Sequence, residues 1–344
     1  MRHGQPFRAL CFVTFLAWRA GAAYAADPTL VDAAKKEGTV TWYTTQIVDQ
    51  LARPAAEAFQ QKYGIKVDFV RTDSSQLGIR LINEGQAGHV VADVFDSTTI
   101  TLALKKQNLI LKWLPDAAAR LPKQFSDPDG YWMAASANVL TVGYNTNLVP
   151  SGSEPKRFED LLDAKWKGKL VWGSTTSPSA APGFIGTVLA AMGEKDGMDY
   201  LQKLAKQNIT GLQQSARQVL DEVIAGEYPV ALQIFNNHAV ISATKGAPSA
   251  WAPLQASMAH LLVVSVTREA PHPNAGKLFE DFLTSPEGQQ IFRDADYLTV
   301  DPAVPPKNPS LRLDEKNFHA IYFSPEELEQ SMPKWVGVDK QLFQ

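Results

Sequence analysis

Cysteine is almost absent from this chain, and its single copy, Cys11, lies within the first 25 residues. This segment begins with Arg2 and Arg8, continues with the apolar run ALCFVTFLAW and ends in A-Y-A at 23–25. The combination predicts a secretory signal peptide cleaved after Ala25, too short to span a bilayer stably. A lipid-anchored Cys11 is the alternative, but that cysteine sits inside the apolar run. The remaining chain has no cysteine for disulfides or metal sites.

Long apolar runs and an excess of basic charge are also lacking beyond this leader. No later stretch approaches the roughly 18 apolar residues of a membrane helix. The chain has 33 Lys+Arg and 36 Asp+Glu, and because three arginines lie in the leader, the remainder carries a net charge of −6. We therefore expect an exported protein that is not membrane-inserted, does not bind nucleic acid and is long enough for two α/β domains.

Short β-rich runs alternate with helical patterns along the chain. The sequence predicts strands at 38–43, 65–70, 90–95, 169–174 and 228–235, and helices over 47–64, 76–85, 181–207, 216–227 and 273–292. Pro54 fits best near a helix start, so the first of these helices is expected to begin after Ile47. Strand–helix alternation indicates parallel pairing. Two further β-rich stretches, 137–146 and 259–267, lack this alternation and are interpreted as strands that cross between the domains.

Polar, mostly uncharged side chains follow each predicted strand, where ligands bind in open parallel sheets. In the first half of the chain the candidate ligand-binding residues are Tyr43, Thr44, Thr45, Gln46, Ser74, Ser75, Asp96, Ser97 and Thr98. In the second half they are Ser177, Ser179, Ala180, Ser215, Arg217, Gln233, Asn236 and His238. Hydroxyls and amides at helix N-termini bind polar or anionic solutes. Helix capping is the better explanation of any single cluster, but five clusters at five strand ends favour a shared cleft.

Catalytic and metal-binding motifs are missing. The patterns GxSxG, HExxH, Walker A and GxGxxG do not occur, and the histidines lack metal-ligand spacing. We therefore assign no catalytic residue, no metal ligand and no cofactor. His238 either contacts a ligand or serves the structure, and Arg217 is either an anion partner or a solvated charge. Trp42 and Trp172, which close two strands, are predicted to be core residues.

Several stretches recur in a known order: GTVTWYTTQ, AFQQKYGIKVDF, ADVFDS, YNTNLVP, FEDLLDAKWKGKL, AGEYPVAL and APHPNAGKLFEDFLTSPEGQQIF. With them the chain resembles the periplasmic solute-binding proteins of ABC importers, in the type II group of ferric-ion, thiamine, phosphonate and sugar-phosphate receptors. The resemblance implies a two-lobed α/β fold, each lobe a mostly parallel sheet flanked by helices, joined by crossing hinge strands. We expect lobe 1 to comprise 26–136 and 260–310, and lobe 2 to comprise 137–259 and 311–344.

The resemblance also implies the function: the lobes close on a small-molecule solute in the periplasm and present it to ABC permease subunits. Such a protein is not an enzyme, and we expect a monomer because closure needs free lobes. Ferric receptors of this group use a histidine after the first strand, an acid after the third and a tyrosine pair after the late strand. The corresponding places in this chain read Gln46-Ile47, Ser97-Thr98 (with Asp96 the only nearby acid) and Phe235-Asn236-Asn237-His238, so a small organic anion (a phosphonate, phosphate ester or carboxylate) is expected. Ferric ion is the alternative, followed by a sensor subunit or an enzyme on the same fold.

Overall fold

The computed structural model describes Met1 and residues 25–312 and 319–344. Nearly all of the predicted signal peptide lies outside the described residues. The α-helices are α1 Pro28–Glu37, α2 Arg53–Tyr63, α3 Ser74–Gln86, α4 Thr101–Lys106, α5 Ala117–Arg120, α6 Ala181–Met192, α7 Glu194–Leu204, α8 Ala216–Ala225, α9 Asn236–Thr244, α10 Pro273–Thr284, α11 Pro286–Asp294 and α12 Pro325–Leu342. A π-helical turn, Val48–Ala52, precedes α2.

The strands are β1 Thr39–Thr44, β2 Lys66–Arg71, β3 Val94–Ser97, β4 Met133–Asn145, β5 Leu170–Gly173, β6 Thr210–Leu212, β7 Val230–Phe235, β8 Ser249–Ala252, β9 Ser257–Val266, β10 Leu298–Thr299 and β11 Ala320–Phe323. Eight of these described strands form one path in the order β2-β1-β3-β9-β4-β7-β5-β6, while β8 and β10 pair with β4 and β11 pairs with β9. The outer sets β2-β1-β3 and β7-β5-β6 are parallel, and β9 and β4 pair antiparallel between them. This confirms the two-lobed fold and the crossing strands.

Two apolar clusters lie on either side of the crossing strands. The first contains Trp42, Phe59 and Phe279, with the Trp42 ring edge-on to Phe279 at 5.1 Å. The second contains Trp172 and Trp335, so the C-terminal helix α12 packs on the second lobe. Trp42 and Trp172 are 1% and 2% exposed, which confirms them as core residues. The residues at which one lobe passes into the other stay a prediction.

Two predicted elements differ from the structure, and one helix was not predicted, for identifiable reasons. The third strand begins at Val94 rather than residue 90, because the Asp93 carboxylate accepts hydrogen bonds from the backbone N–H groups of Thr41 and His272. The helix predicted over 181–207 is broken at Gly193, whose φ of 78° favours glycine. Helix α12 was not predicted from the sequence, because Pro325 lies in its first turn and Pro333 lies inside it.

Helix α10 buries a carboxyl group against the first cluster. Glu280 is 1% exposed, and neither of its carboxylate oxygens has a hydrogen-bond partner among the described residues. Burial raises the pKa of Glu280 well above its ordinary value of 4.5, and the neighbouring Asp281 raises it further. The folded protein therefore holds this proton more tightly than the unfolded chain does.

We expect Glu280 to weaken the fold as pH rises. Because its folded pKa is raised, the unfolded chain loses the proton first, and the free energy of unfolding falls between the ordinary glutamate pKa and the raised one. Glu280→Gln removes this decline, so urea unfolding from about pH 5 to pH 8 should show the variant gaining stability relative to the unmodified protein. Glu57→Gln, at an exposed position of α2, is the control. Parallel pH profiles for the Glu280 variant and the unmodified protein would contradict this account.

Candidate functional site

One carboxylate oxygen ties the end of β1 to the end of β3. Oδ1 of Asp96 accepts hydrogen bonds from the Thr45 N–H at 3.0 Å, the Thr45 hydroxyl at 2.6 Å and the Gln46 side-chain amide at 3.0 Å. Asp96 is 2% exposed, and its other oxygen, Oδ2, has no partner within the described part of the chain. Burial raises the pKa of Asp96, and hydrogen bonds from Thr44, Thr45 and Gln46 lower it. The ends of β1 and β3 thus form one side of the site, the first wall. Its buried acceptor Asp96 Oδ2 receives no hydrogen bond from the described residues.

Some first-half candidates do not belong to this wall. Tyr43 is fully buried, and its hydroxyl donates to Glu84 Oε1 at 2.6 Å. Burial and this hydrogen bond to Glu84 raise the Tyr43 pKa. Tyr43 is therefore a core residue, because alternation along β1 turns it away from the face that carries Thr44. Ser97 is also fully buried, and its hydroxyl accepts the N–H groups of Thr99 and Ile100 at the start of α4, which is a capping role.

The remaining first-half candidates are less constrained. Thr44 is fully buried, and its hydroxyl accepts the Gln46 N–H at 3.0 Å, which shapes the loop that carries Gln46. Ser74 begins α3 and, like Thr98, is half-buried. The side chain of Ser75 lies outside the described residues. A role for Ser74, Ser75 and Thr98 in binding stays a prediction.

The second wall is a serine turn at the start of α6. The hydroxyls of Ser177 and Ser179 lie 2.9 Å apart, and the Ser179 N–H donates to Ser177 Oγ at 3.2 Å. Gln233 of β7, which is 1% exposed, donates from Nε2 to the Pro178 carbonyl at 3.2 Å. Ala180 is buried directly before α6. The structure thus brings four second-half candidates together at one helix N-terminus.

Asn236 and His238 stand in the first turn of α9, which the sequence did not predict as a helix. Asn236 is 0% exposed, and neither its amide nitrogen nor its amide oxygen has a partner in the described residues. The His238 ring contacts the Phe235 ring at 5.0 Å, and its Nδ1 has no partner there either. Burial, with the nearby charge of Arg217, lowers the pKa of His238 to about 4, so the imidazole is neutral at neutral pH.

Ser215 and Arg217 lie at the start of α8, and Arg217 is close enough to His238 for its charge to lower the pKa of that imidazole. Ser215 is exposed and forms a capping box with Gln218 at the start of α8. Arg217 forms an ion pair with Asp221 and donates to the Ser242 hydroxyl of α9 at 2.9 Å. The Ser215 hydroxyl thus caps its own helix and the Arg217 guanidinium bridges α8 and α9, and a role for either residue in ligand binding stays a prediction.

The register of the sheet makes the two walls face each other. Ser97 at the end of β3 pairs with Val263 of β9, whereas Phe235 at the end of β7 lies level with Met258 of β9 through the β4 residue Leu140. Since β3 and β7 run in opposite directions, both strands end pointing into the interval between Met258 and Val263. Five residue steps of about 3.3 Å give a gap of about 17 Å. The crossing strands are its floor.

Sequence reasoning missed His260, which lies opposite Asn138 in this floor. Side-chain alternation places His260 on the same sheet face as Asp96 and Phe235, and its ring stacks on Phe235 at 6.2 Å. His260 is 4% exposed, and neither ring nitrogen has a partner among the described residues. Burial lowers its pKa to about 4, so the ring is neutral. The available signal was one histidine within the apolar run AHLLVVSV.

Tyr297 was missed as well, and nothing local in the sequence marks it. It directly precedes β10, whose Leu298 pairs with Ala137 of β4. The Tyr297 hydroxyl lies near the backbone of Ile47. Burial raises the Tyr297 pKa and the nearby Asp96 carboxylate raises it further, so the group is a neutral phenol. A residue from the last third of the chain therefore reaches the first wall.

The site combines hydroxyls, amides, neutral imidazoles and one carboxylate. These groups can donate and accept hydrogen bonds from both walls, and the N-termini of α6 and α9 add partial positive charge. In residues 25–312 and 319–344, no three His, Cys, Asp or Glu side chains come close enough to hold a metal ion. Among the helices that the structure describes, none is long and apolar enough to cross a membrane.

Comparison with known proteins gives a consistent result. The family model described as "Bacterial extracellular solute-binding protein" matches residues 90–321. The chain is 25% identical over 262 residues to the "Fe(3+)-binding periplasmic protein" of Serratia marcescens, covering 71% of this chain and 73% of that relative. It is 26% identical over 262 residues to the "Putative 2-aminoethylphosphonate-binding periplasmic protein" of Salmonella paratyphi A, covering 74% and 72%.

A solved structure shares the fold. The periplasmic binding protein AfuA from Actinobacillus pleuropneumoniae, with exogenous fructose-6-phosphate bound, aligns with a TM-score of 0.70 at 21% identity. The alignment covers 88% of this chain and 99% of that one. This likeness extends over both parallel sets of strands, as the alternation of strands and helices predicts.

Gly183→Ala should displace the serine turn. A Cβ at Gly183 would lie 1.7 Å from the Pro178 carbonyl oxygen and 2.7 Å from Gln233 Nε2, so the turn must move away. Overpacking of this kind costs about 1–3 kcal/mol of unfolding free energy. Urea unfolding measures the loss, and amide hydrogen exchange in the first turn of α6 should accelerate.

Gly337→Ala is the matched control for this substitution. Gly337 is exposed inside α12, and a Cβ there meets nothing within 4 Å. It should gain about 0.5–1 kcal/mol from reduced backbone entropy of the unfolded chain. Equal stability changes in the two variants would show that the turn does not pack against Gly183 as described.

Proposed function

We propose that this chain, which belongs to the family of bacterial extracellular solute-binding proteins, is the solute-capturing component of an ABC importer. In this proposal the two lobes close in the periplasm on a small polar organic anion, such as a phosphonate, phosphate ester or carboxylate, and deliver it to a membrane permease. The family and the fold are those of solute-binding proteins rather than enzymes. A monomer fits this role because closure requires freely moving lobes.

One observation carries the proposal: three buried residues that the sheet register brings to the cleft hold polar atoms without partners among the described residues. These atoms include Asp96 Oδ2, both amide atoms of Asn236 and both ring nitrogens of His260. A buried polar group left unpaired costs about 1–3 kcal/mol, so most such groups in folded proteins are hydrogen-bonded. A polar solute between the lobes supplies partners for all three residues.

The distribution of donors and acceptors suggests how a solute is oriented. The second wall offers the hydroxyls of Ser177 and Ser179 and the Asn236 amide at two helix N-termini, which suits an anionic group. The first wall offers the acceptor Asp96 Oδ2, which suits an amine or hydroxyl on the solute. 2-Aminoethylphosphonate and fructose-6-phosphate, the solutes named for one relative and one structural neighbour, both combine an anionic group with such a donor.

Ferric ion is the second candidate. Asp96 and Tyr297 place two oxygen atoms near each other, and one relative is named for Fe(3+) binding. Against it, hard Fe(III) prefers anionic oxygen donors, and the raised Tyr297 pKa disfavours the phenolate. An organic anion therefore remains the leading proposal. Delivery to a membrane sensor instead of a permease would use the same closed complex. Solute uptake by cells lacking this gene separates the two roles, because only the permease role makes uptake depend on this protein.

Calorimetric titration tests the solute class. The mature chain, starting at Ala26, is titrated with 2-aminoethylphosphonate, fructose-6-phosphate and ferric citrate in turn. We expect saturable 1:1 binding of at least one organophosphorus anion and none of ferric citrate. Binding of iron alone, accompanied by a visible phenolate-to-iron absorption band, would contradict the proposal and support the second candidate.

Asn236→Leu should separate binding from stability. The substitution removes a fully buried amide that has no partner among the described residues, so the free energy of unfolding should stay constant or rise by about 1–3 kcal/mol. Binding of the anion identified by titration should be lost, because the second wall loses an amide donor. Urea unfolding and calorimetry measure the two quantities on the same preparation.

Asn145→Leu is the matched control. Asn145 is 2% exposed, and its Nδ2 donates to the Val223 carbonyl at 2.7 Å, away from the cleft. This variant should lose about 1–3 kcal/mol of stability, because it removes that bond and leaves the Asn147 N–H without the Asn145 Oδ1 acceptor, while the folded protein binds normally. Undiminished binding by Asn236→Leu would remove α9 from the site.

A further inference from the structure

The turn at residues 295–297, between α11 and β10, receives hydrogen bonds from both lobes. From lobe 1, the Gln50 side-chain amide donates to the Ala295 carbonyl oxygen at 2.5 Å. From lobe 2, the Asn237 side-chain amide donates to the Asp296 carbonyl oxygen at 3.2 Å. The consecutive carbonyl oxygens of Ala295 and Asp296 thus accept hydrogen bonds from side-chain amides of opposite lobes. Asp296 itself adopts a positive φ of 62°, which is uncommon for a residue other than glycine.

Each partner of this turn is next to a wall of the cleft. Gln50 lies in the π-helical turn that follows Gln46, and Asn237 is adjacent to Asn236 in α9. The third residue of the turn, Tyr297, extends to the first wall, where its hydroxyl lies near the backbone of Ile47 and the Asp96 carboxylate. The turn therefore connects the loop after β1 to the start of α9 through a few side-chain contacts.

The packing around the turn leaves room for relative movement. A cavity of ≈ 380 Å³ lies between α9 and the segment after α11, and Val240, Thr244, Arg293, Tyr297 and Lys307 are among its lining residues. Interfaces inside a close-packed core lack space of this size. The Asn237 hydrogen bond joins α9 to the turn beside this cavity. Because few atoms pack there, this hydrogen bond contributes more to the distance between α9 and the turn than it would in a close-packed interface.

We propose that the 295–297 turn is a clasp that holds the two walls at solute-binding separation and positions Tyr297 in the cleft. This inference rests on the proposed function, because the clasp acts by favouring the conformation in which one solute reaches both walls. Gln50 anchors the turn on lobe 1 and Asn237 reaches it from lobe 2, so the clasp exists only when both bonds are made. Tyr297 is then a positioning residue whose location depends on both lobes.

The clasp can be measured directly because the mature chain contains no cysteine. Spin labels attached at Glu57→Cys on α2 and Lys195→Cys on α7 report the distance between the lobes by pulsed electron–electron double resonance. Gln50→Ala and Asn237→Ala should each broaden this distance distribution towards longer values without any solute. Affinity for the anion identified by calorimetry should fall about two- to tenfold, the factor that corresponds to one net hydrogen bond.

The double variant provides the decisive comparison. If both bonds form one clasp, Gln50→Ala with Asn237→Ala should weaken binding and lengthen the distance no more than the stronger single variant does. Asn274→Ala is the control, because it loses an amide–carboxylate bond to Glu37, 2.6 Å long, within lobe 1. If Asn237→Ala does not fold, Asn237→Asp removes the donor with the same side-chain shape. Additive effects, or distance distributions identical to the unmodified protein, would overturn the clasp.

The two proposals fail in different ways. If no organophosphorus anion binds the unmodified protein, the phosphonate and phosphate ester solutes of the proposal are wrong, while the label distances of the solute-free variants still decide whether the clasp exists. If the anion binds but the single variants leave both affinity and distance unchanged, the solute class stands and the clasp is wrong.

Discussion

The antiparallel ladder between β4 and β9 is the interaction on which the rest of the structure depends. It joins the two parallel sets of strands, and its register decides where their ends lie. Because side chains alternate along a strand, a slip of one residue would turn His260 to the other face of the sheet, away from Asp96 and Phe235. The apolar clusters on either side make such a slip costly, since it would move buried side chains of both lobes at once. Core packing thus fixes the geometry of a polar cleft.

The polar residues of this cleft are largely uncharged, which suits a protein that must release what it binds. Neutral hydroxyls, amides and imidazoles fix the shape of a solute by hydrogen bonds without activating any of its atoms. Asp96 is the exception, but three donors from Thr45 and Gln46 share one of its oxygens and leave the other unused. Each unpaired buried group weakens the fold slightly, and the two large apolar clusters offset that loss.

Local patterns predicted the frame of the molecule well and its site only in part. Strand–helix alternation, the proline near the start of α2 and the buried Trp42 and Trp172 depend on neighbouring residues, which a sequence displays. The orientation of Tyr43 depends on which face of β1 meets the helices, so a polar-looking strand end proved to include a core residue. Arg217 looked available because its partners, Asp221 and Ser242, are brought to it only by the fold.

The residues that were missed come from distant parts of the chain. His260 and Tyr297 reach the cleft through pairing of β9 and β10 with β4, over separations of more than a hundred residues. No spacing rule connects such positions, whereas Thr45, Gln46 and Asp96 could be grouped because parallel strands end at one edge. The pairing register of strands that are far apart in the chain therefore cannot be predicted from local sequence patterns.

Native mass spectrometry of the protein purified from the periplasm, followed by denaturation and identification of what is released, tests the central claim most directly. The account predicts a single small organic anion bound at one copy per chain, with the mass of the complex that of a monomer. An iron ion as the released species, or a covalent product formed from a bound molecule, would contradict it.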